Sequence, residues 1–131
     1  MKNAIIALSA ILVSNILIVQ LGLQSRILWI DTPYHLVASF FVAMLFWHFS
    51  RKDLGQSSWV RRSFYVVSTV VLVGVLWEFM ETAMWIYFTY YPSGAGDELL
   101  YKAFNYSDTI KDLVMDFTGA GVYLLLKSRQ R

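Results

Sequence analysis

Six of the nine acidic residues of this 131-residue chain stand inside or at the edge of apolar runs, where a carboxylate is expensive unless it does something. Asp108, Asp112 and Asp116 are spaced by four, which puts them on one stripe of a helix about 40° apart at each step. Ile110, Leu113, Val114, Phe117, Leu124 and Leu125 fall on the other side. Trp77-Glu78-Phe79-Met80-Glu81 places two more carboxylates in roughly one direction, and Asp31 stands one helical turn before His35. Several carboxylates and one imidazole within reach of each other cannot all ionise cheaply. They either share protons as a coupled set or neutralise a bound cation.

Oxygen ligands of this kind suit Mg²⁺, Mn²⁺ or Ca²⁺, and a single His also admits Zn²⁺. The candidate metal ligands are His35, Glu78, Glu81, Asp112 and Asp116, with Asp31 and Asp108 beside them. Glu78 and Asp112 are the candidate general bases for a water activated by such an ion. Each residue also has a plainer reading. Asp31 equally serves as a helix cap, His35 as a hydrogen-bonded interface histidine, and Glu81 as a carboxylate that has already reached solvent.

The elements that must position these groups are membrane spans. The chain is 57% hydrophobic with a mean hydropathy of +0.51, a composition that points to an integral membrane protein and away from a soluble core. The expected fold is all-α, a single four-helix up-down bundle over residues 1–131, with spans at about 4–22, 32–49, 63–88 and 107–126. The first run lacks a small-x-small cleavage site after Gln20, so it is expected to stay as an anchor. Ser14 and Asn15 sit in its middle and are expected to bond to a neighbouring helix. Thr32-Pro33 marks the second start, with Thr32 as cap. Gly119 and Gly121 are expected to let the fourth helix approach its neighbours. Residues 97–104 read as a short surface helix that could lie over the acids as a lid. Without cysteine there are neither disulfides nor thiolate ligands, and the modest charge of +2 offers no basic surface for nucleic acid.

Orientation follows from the basic residues. Lys2, Arg51, Lys52, Arg61, Arg62, Lys127, Arg129 and Arg131 fall on one side of a four-span chain, against Arg26, Lys102 and Lys111 on the other. The excess places both termini in the cytoplasm of a cell whose inner membrane holds the protein. At about 1.5 Å per residue, Asp112 and Asp116 then lie roughly 6 and 12 Å below Asp108, and His35 about 5 Å inside the outer surface. Glu78 and Glu81 close the third span at the same side. All seven groups therefore reach one depth range.

The same residues carry a resemblance. Asp31-Thr-Pro-Tyr-His35, Gly74-Val-Leu-Trp77-Glu78-Phe-Met-Glu81 and Asp108-Thr-Ile-Lys-Asp112-Leu-Val-Met-Asp116-Phe-Thr-Gly119-Ala resemble signatures of the YjdF-like bacterial inner-membrane proteins. The VanZ-like glycopeptide-resistance family is similar at greater distance. The resemblance covers spans two to four and implies a shared fold and a shared polar site, without implying a reaction.

Three functions stay open on these residues. A metal facing the outer leaflet would serve a hydrolase or transferase acting on a lipid-linked or phosphorylated substrate. The same acids could bind and release cations or protons in a transport or accessory component, or they could only fix helix packing. The Glu-x-x-His pairs of di-iron bundles are absent from the sequence. Below Asp116 the fourth span offers only Thr118 and Tyr123 as a polar track, which counts against transport.

Overall fold

The computed structural model describes residues 2–21, 23, 31–50, 57–90 and 106–130. Four helices account for nearly all of them: α1 (Lys2–Gln20), α2 (Asp31–Phe49), α3 (Trp59–Trp85), which runs on into a π-helical turn at Ile86–Tyr90, and α4 (Tyr106–Ser128). No strand occurs among the described residues.

The bounds follow local chemistry. Asp31 is already helical, so Thr32 lies inside α2 instead of capping it, a shift of one residue from the expected start. α3 begins four residues before the expected Ser63. Ser58 is its cap, its Oγ accepting from the Arg61 N–H at 3.3 Å. The charges of Arg61 and Arg62 resemble a loop in composition, yet a first helical turn accommodates them readily. The expected surface helix at 97–104, and with it the expected lid, lies outside the described residues.

Packing is centred on α2 and α4, which run in the same direction, with α3 antiparallel against both. Gly119 makes their approach possible: a Cβ there would run into the Leu36 carbonyl oxygen and the Ser39 hydroxyl of α2. Gly121 plays no such part, since a Cβ on it would meet nothing within 4 Å. Ala43, Trp47, Val66, Val70, Ala120 and Tyr123 form the apolar core toward one end of the bundle.

The interior and exterior are inverted relative to a water-soluble bundle. Buried positions include Asn15, Asp31, His35, Ser39, Arg62, Glu81, Asp112 and Asp116. Ile6, Leu17, Phe64, Leu72, Leu76, Phe79, Ile110, Phe117 and Leu125 are at least half exposed. The apolar back of α4 points outward, as the spacing predicts. Helices α1 and α3 are long and apolar enough to cross a membrane. α4 is less apolar because it carries Asp108, Lys111, Asp112 and Asp116, whereas α2 is as apolar on average as α1 and brings Asp31 and His35 in its first turns.

Candidate functional site

His35 is the hub of the polar interior. One turn inside α2 and 3% exposed, it presents a carboxylate to each ring nitrogen. Nδ1 lies 3.2 Å from Asp116 Oδ1 of α4, while Nε2 lies 3.4 Å from Glu78 Oε1 of α3 and 3.8 Å from Asp31 Oδ1 on its own helix. A carboxylate accepts, so Nδ1 carries a proton toward an ionised Asp116, and Nε2 faces Glu78 and Asp31 either as the second N–H of an imidazolium or, in the neutral ring, with its lone pair open to a cation. The indole of Trp77 packs edge-on against the imidazole, centroids 6.3 Å apart, and fixes the ring plane from α3.

The acids divide by what else holds them. Glu78 is anchored through Oε2, which accepts from the Thr109 hydroxyl at 2.8 Å, and this leaves Oε1 toward His35. Glu81 is buried between two donors: Asn15 Nδ2 of α1 at 2.5 Å and Trp77 Nε1 at 2.8 Å, both on Oε1. It has not reached solvent, because Asn15 and Trp77 compensate its burial. Asp108 is partly exposed and pairs with Lys111, whose ammonium also lies 3.7 Å from Asp112 Oδ1. Asp112 is 1% exposed. Asp116 is seated against α3 where Gly74 has no side chain: a Cβ there would collide with Asp116 Oδ2.

Three sets of ligand atoms come within 4.8 Å of one another: His35, Glu78 and Asp112; Asp31, His35 and Glu81; Asp31, Asp108 and Asp112. Adjacent ligands of one octahedral ion, at about 2.1 Å each, are about 3 Å apart and opposite ones about 4.2 Å, so sets of this size are close to the span of one coordination shell. Asp31 Oδ1, His35 Nε2, Glu78 Oε1, Asp112 Oδ1 and Asp116 Oδ2 are buried atoms with no hydrogen-bond partner. Such atoms are expensive in a low-dielectric interior, and several of them here belong to one cluster.

All seven residues expected from the sequence therefore meet at one end of the bundle, although Asp116 stands on the opposite edge of the imidazole from Glu78 and Asp31. Sequence reasoning did not place Asn15, Trp77, Thr109 or Gly74 in the site. The two hydroxyl and amide groups had a visible signal as polar residues in apolar runs, and Gly74 as a small residue one turn before Glu78. Trp77 had none beyond adjacency.

A helical chain with a greasy exterior and a charged interior belongs to the class of membrane proteins. It is a member of the family described as "Predicted membrane protein (DUF2238)", which it matches over residues 2–131. No curated protein and no solved structure matches the sequence significantly.

Proposed function

We propose that all four helices cross the inner membrane with both termini in the cytoplasm, and that the cluster in the outer half binds one divalent cation. The eight-to-three basic asymmetry supports the orientation. Exposed apolar side chains on α2 and α4, among them Val37, Ile110, Val114 and Phe117, support their contact with lipid despite their acids.

The observation that carries the cation is the unsatisfied Nε2 of His35 opposite Glu78 Oε1 and Asp112. Of the three ligand sets this one has the least internal substitute for the ion: Lys111 reaches only its Asp112, at 3.7 Å, while His35 Nε2 and Glu78 Oε1 have no hydrogen-bond partner. Lys111 already lies against Asp108 and Asp112, and Asn15 and Trp77 already satisfy Glu81. Asp116 then takes the place of the outer carboxylate that orients a metal-bound histidine by accepting from its other nitrogen. Asp31 and Glu81 each bring a carboxylate oxygen within 4.8 Å of a His35 ring nitrogen and are the further oxygen ligands of this reading.

Three protein ligands leave positions for water and substrate. An ion held so supplies Lewis-acid polarisation of a phosphoryl oxygen and a more acidic water. With Oε2 held by Thr109 and Oε1 toward His35, Glu78 would act either as a ligand of the ion or as the general base for its water, and Asp112 would take the other role. Lys111 stands at the partly exposed mouth with Asp108, where its charge would meet an anionic substrate. The reading is a hydrolase or transferase acting at the outer surface on a phosphorylated, lipid-linked substrate. Cation binding without chemistry is its nearest competitor.

Purified protein stripped with chelator and titrated with Mn²⁺, followed by the paramagnetic resonance of free Mn²⁺, tests the centre. The expected result is one ion per chain, displaced by Mg²⁺ or Zn²⁺, with affinity reduced at least tenfold in Glu78→Gln and in His35→Ala. A wild type that binds no divalent ion, with Glu78→Gln equally or more stable, would reduce the cluster to a packing device. Once Mn²⁺ binding is established, release of phosphate from an undecaprenyl-type pyrophosphate, lost in Glu78→Gln, separates chemistry from storage.

A further inference from the structure

One of the three ligand sets is left over by the cation centre. Asp31, Asp108 and Asp112 bring carboxylate oxygens within 4.8 Å of one another, and Asp112 belongs to the His35 and Glu78 set as well. The two sets therefore meet at one residue. Asp112 stands one turn after Asp108 on α4 and Asp31 opens α2, so two helices that run in the same direction supply all three carboxylates from their first two turns.

A cation of the chain's own already stands at this set. The Lys111 ammonium pairs with Asp108 and lies 3.7 Å from Asp112 Oδ1, too far for a hydrogen bond. It serves the outer carboxylate and leaves the inner ones short. Asp112 is 1% exposed and Asp31 5%, and Oδ1 of each is a buried atom with no hydrogen-bond partner. The ammonium is also free to leave. The side chains of Lys111 and Asp108 are 35% and 42% exposed, so a turn of the lysine into solvent opens a path from the surface to Asp112.

Charge decides what the set prefers. Asp31, Glu78, Glu81, Asp108, Asp112 and Asp116 gather at this end of the bundle, and among the described residues Lys111 is the one fixed cation there. With these six acids ionised and His35 neutral, Lys111 and one divalent ion leave three negative charges uncompensated, and a second divalent ion leaves one. Uncompensated charge is costly where water is excluded. The three donors are all carboxylate oxygens, the ligand type of Mg²⁺, Mn²⁺ and Ca²⁺.

We propose that Asp31, Asp108 and Asp112 form a second divalent-cation site, joined to the first through Asp112 and held by the Lys111 ammonium until an ion displaces it. The proposal rests on the cation centre given above for the bridge. A bridging Asp112 is a ligand, which leaves the general-base role to Glu78. A phosphoryl group would then span two ions, the arrangement that stabilises both the attacking and the leaving oxygen of a displacement.

The test is Mn²⁺ titration of the full chain, with bound ions counted and their paramagnetic resonance recorded, in wild type, Lys111→Gln, Asp108→Asn and the double variant. A unit charge about 4 Å from a divalent ion alters its binding at least about tenfold even at the dielectric of water. Wild type is therefore expected to take its second ion at least about tenfold more weakly than Lys111→Gln does. The doubly loaded form should show the exchange-coupled spectrum of two manganese ions sharing a carboxylate. Asp108→Asn, in either background, should lose the second ion and the coupling while keeping the first ion. Lys111→Gln that binds one ion with wild-type affinity would overturn the second site. A second ion that shows no coupling, or that survives Asp108→Asn, is adventitious and overturns it equally. An ion lost in Asp108→Asn but kept in His35→Ala would uphold this site and sink the first, whereas no ion in any variant sinks both.

Discussion

The two glycines in the second half of α4 offer a comparison in which most confounding effects cancel. Replacing Gly119 or Gly121 by alanine removes the same backbone freedom and gives the same gain in helix propensity, about 0.8–1.0 kcal/mol. What differs is the space that the new methyl enters. At Gly121 it meets nothing within 4 Å. At Gly119 it meets the Ser39 hydroxyl, which can rotate, and the Leu36 carbonyl, which is fixed in the backbone of α2. A normal carbon–oxygen contact then requires α2 and α4 to part locally by roughly 1 Å, and a gap of that size forfeits about a quarter to a half of each dispersion contact along the seam. Overpacking of this kind costs about 1–3 kcal/mol. The difference between the two variants should therefore be about 1–3 kcal/mol, with Gly121→Ala the more stable. Unfolding by a graded denaturing detergent, followed by the fluorescence of the five tryptophans, measures it. The same parting stretches the 3.2 Å contact between His35 and Asp116, so Gly119→Ala should also bind Mn²⁺ more weakly while Gly121→Ala binds as wild type. Two alanine variants that unfold together would show that the helices do not meet at Gly119.

Asp116→Asn keeps an acceptor for His35 Nδ1 but removes the charge behind it, and should lower Mn²⁺ affinity by about 10–100-fold without loss of the folded state. Direct measurement of affinity and melting in that variant separates an orienting carboxylate from a packing group, for which stability would rise and no affinity would exist to lose. Asn15→Leu removes one of the two donors to Glu81 and should destabilise the bundle by about 0.6 kcal/mol and at most about 1.7 kcal/mol, read in the same detergent titration. A cysteine at Ser57, the only one in the chain, should react with a membrane-impermeant thiol reagent after the cells are opened and not before. Reaction in intact cells would reverse the orientation.

Much of this arrangement is legible in the linear sequence because apolar run length and four-residue spacing are both local signals. The three aspartates of α4 and the Asp31–His35 turn lie on their faces for reasons of helical geometry alone, and α2 and α4 begin within one residue of expectation. What is not legible depends on contacts across the bundle. The fate of Glu81 is decided by Asn15, 66 residues earlier, and by Trp77. The start of α3 is hidden because Arg61 and Arg62 look like loop composition, whereas the Arg62 guanidinium finds its place on Trp47 of another helix. Gly119 and Gly121 are indistinguishable as letters, and only the position of α2 tells them apart.

The division of labour between greasy and polar helices also has a bearing on how the chain is made. α1 and α3 are long and apolar enough to cross a membrane, although α3 carries Glu78 and Glu81, whereas α4 brings three aspartates that lipid resists. For a chain delivered to the bilayer one segment at a time, α4 arrives last and carries the most charge, so its entry depends on the reception prepared by its predecessors: Gly74 open for Asp116, His35 already in place, Glu78 waiting for Thr109. The centre is thus completed by the final segment. A copy truncated before α4 would leave His35 without Asp116 and Glu78 without Thr109, with their polar atoms stranded among apolar helices.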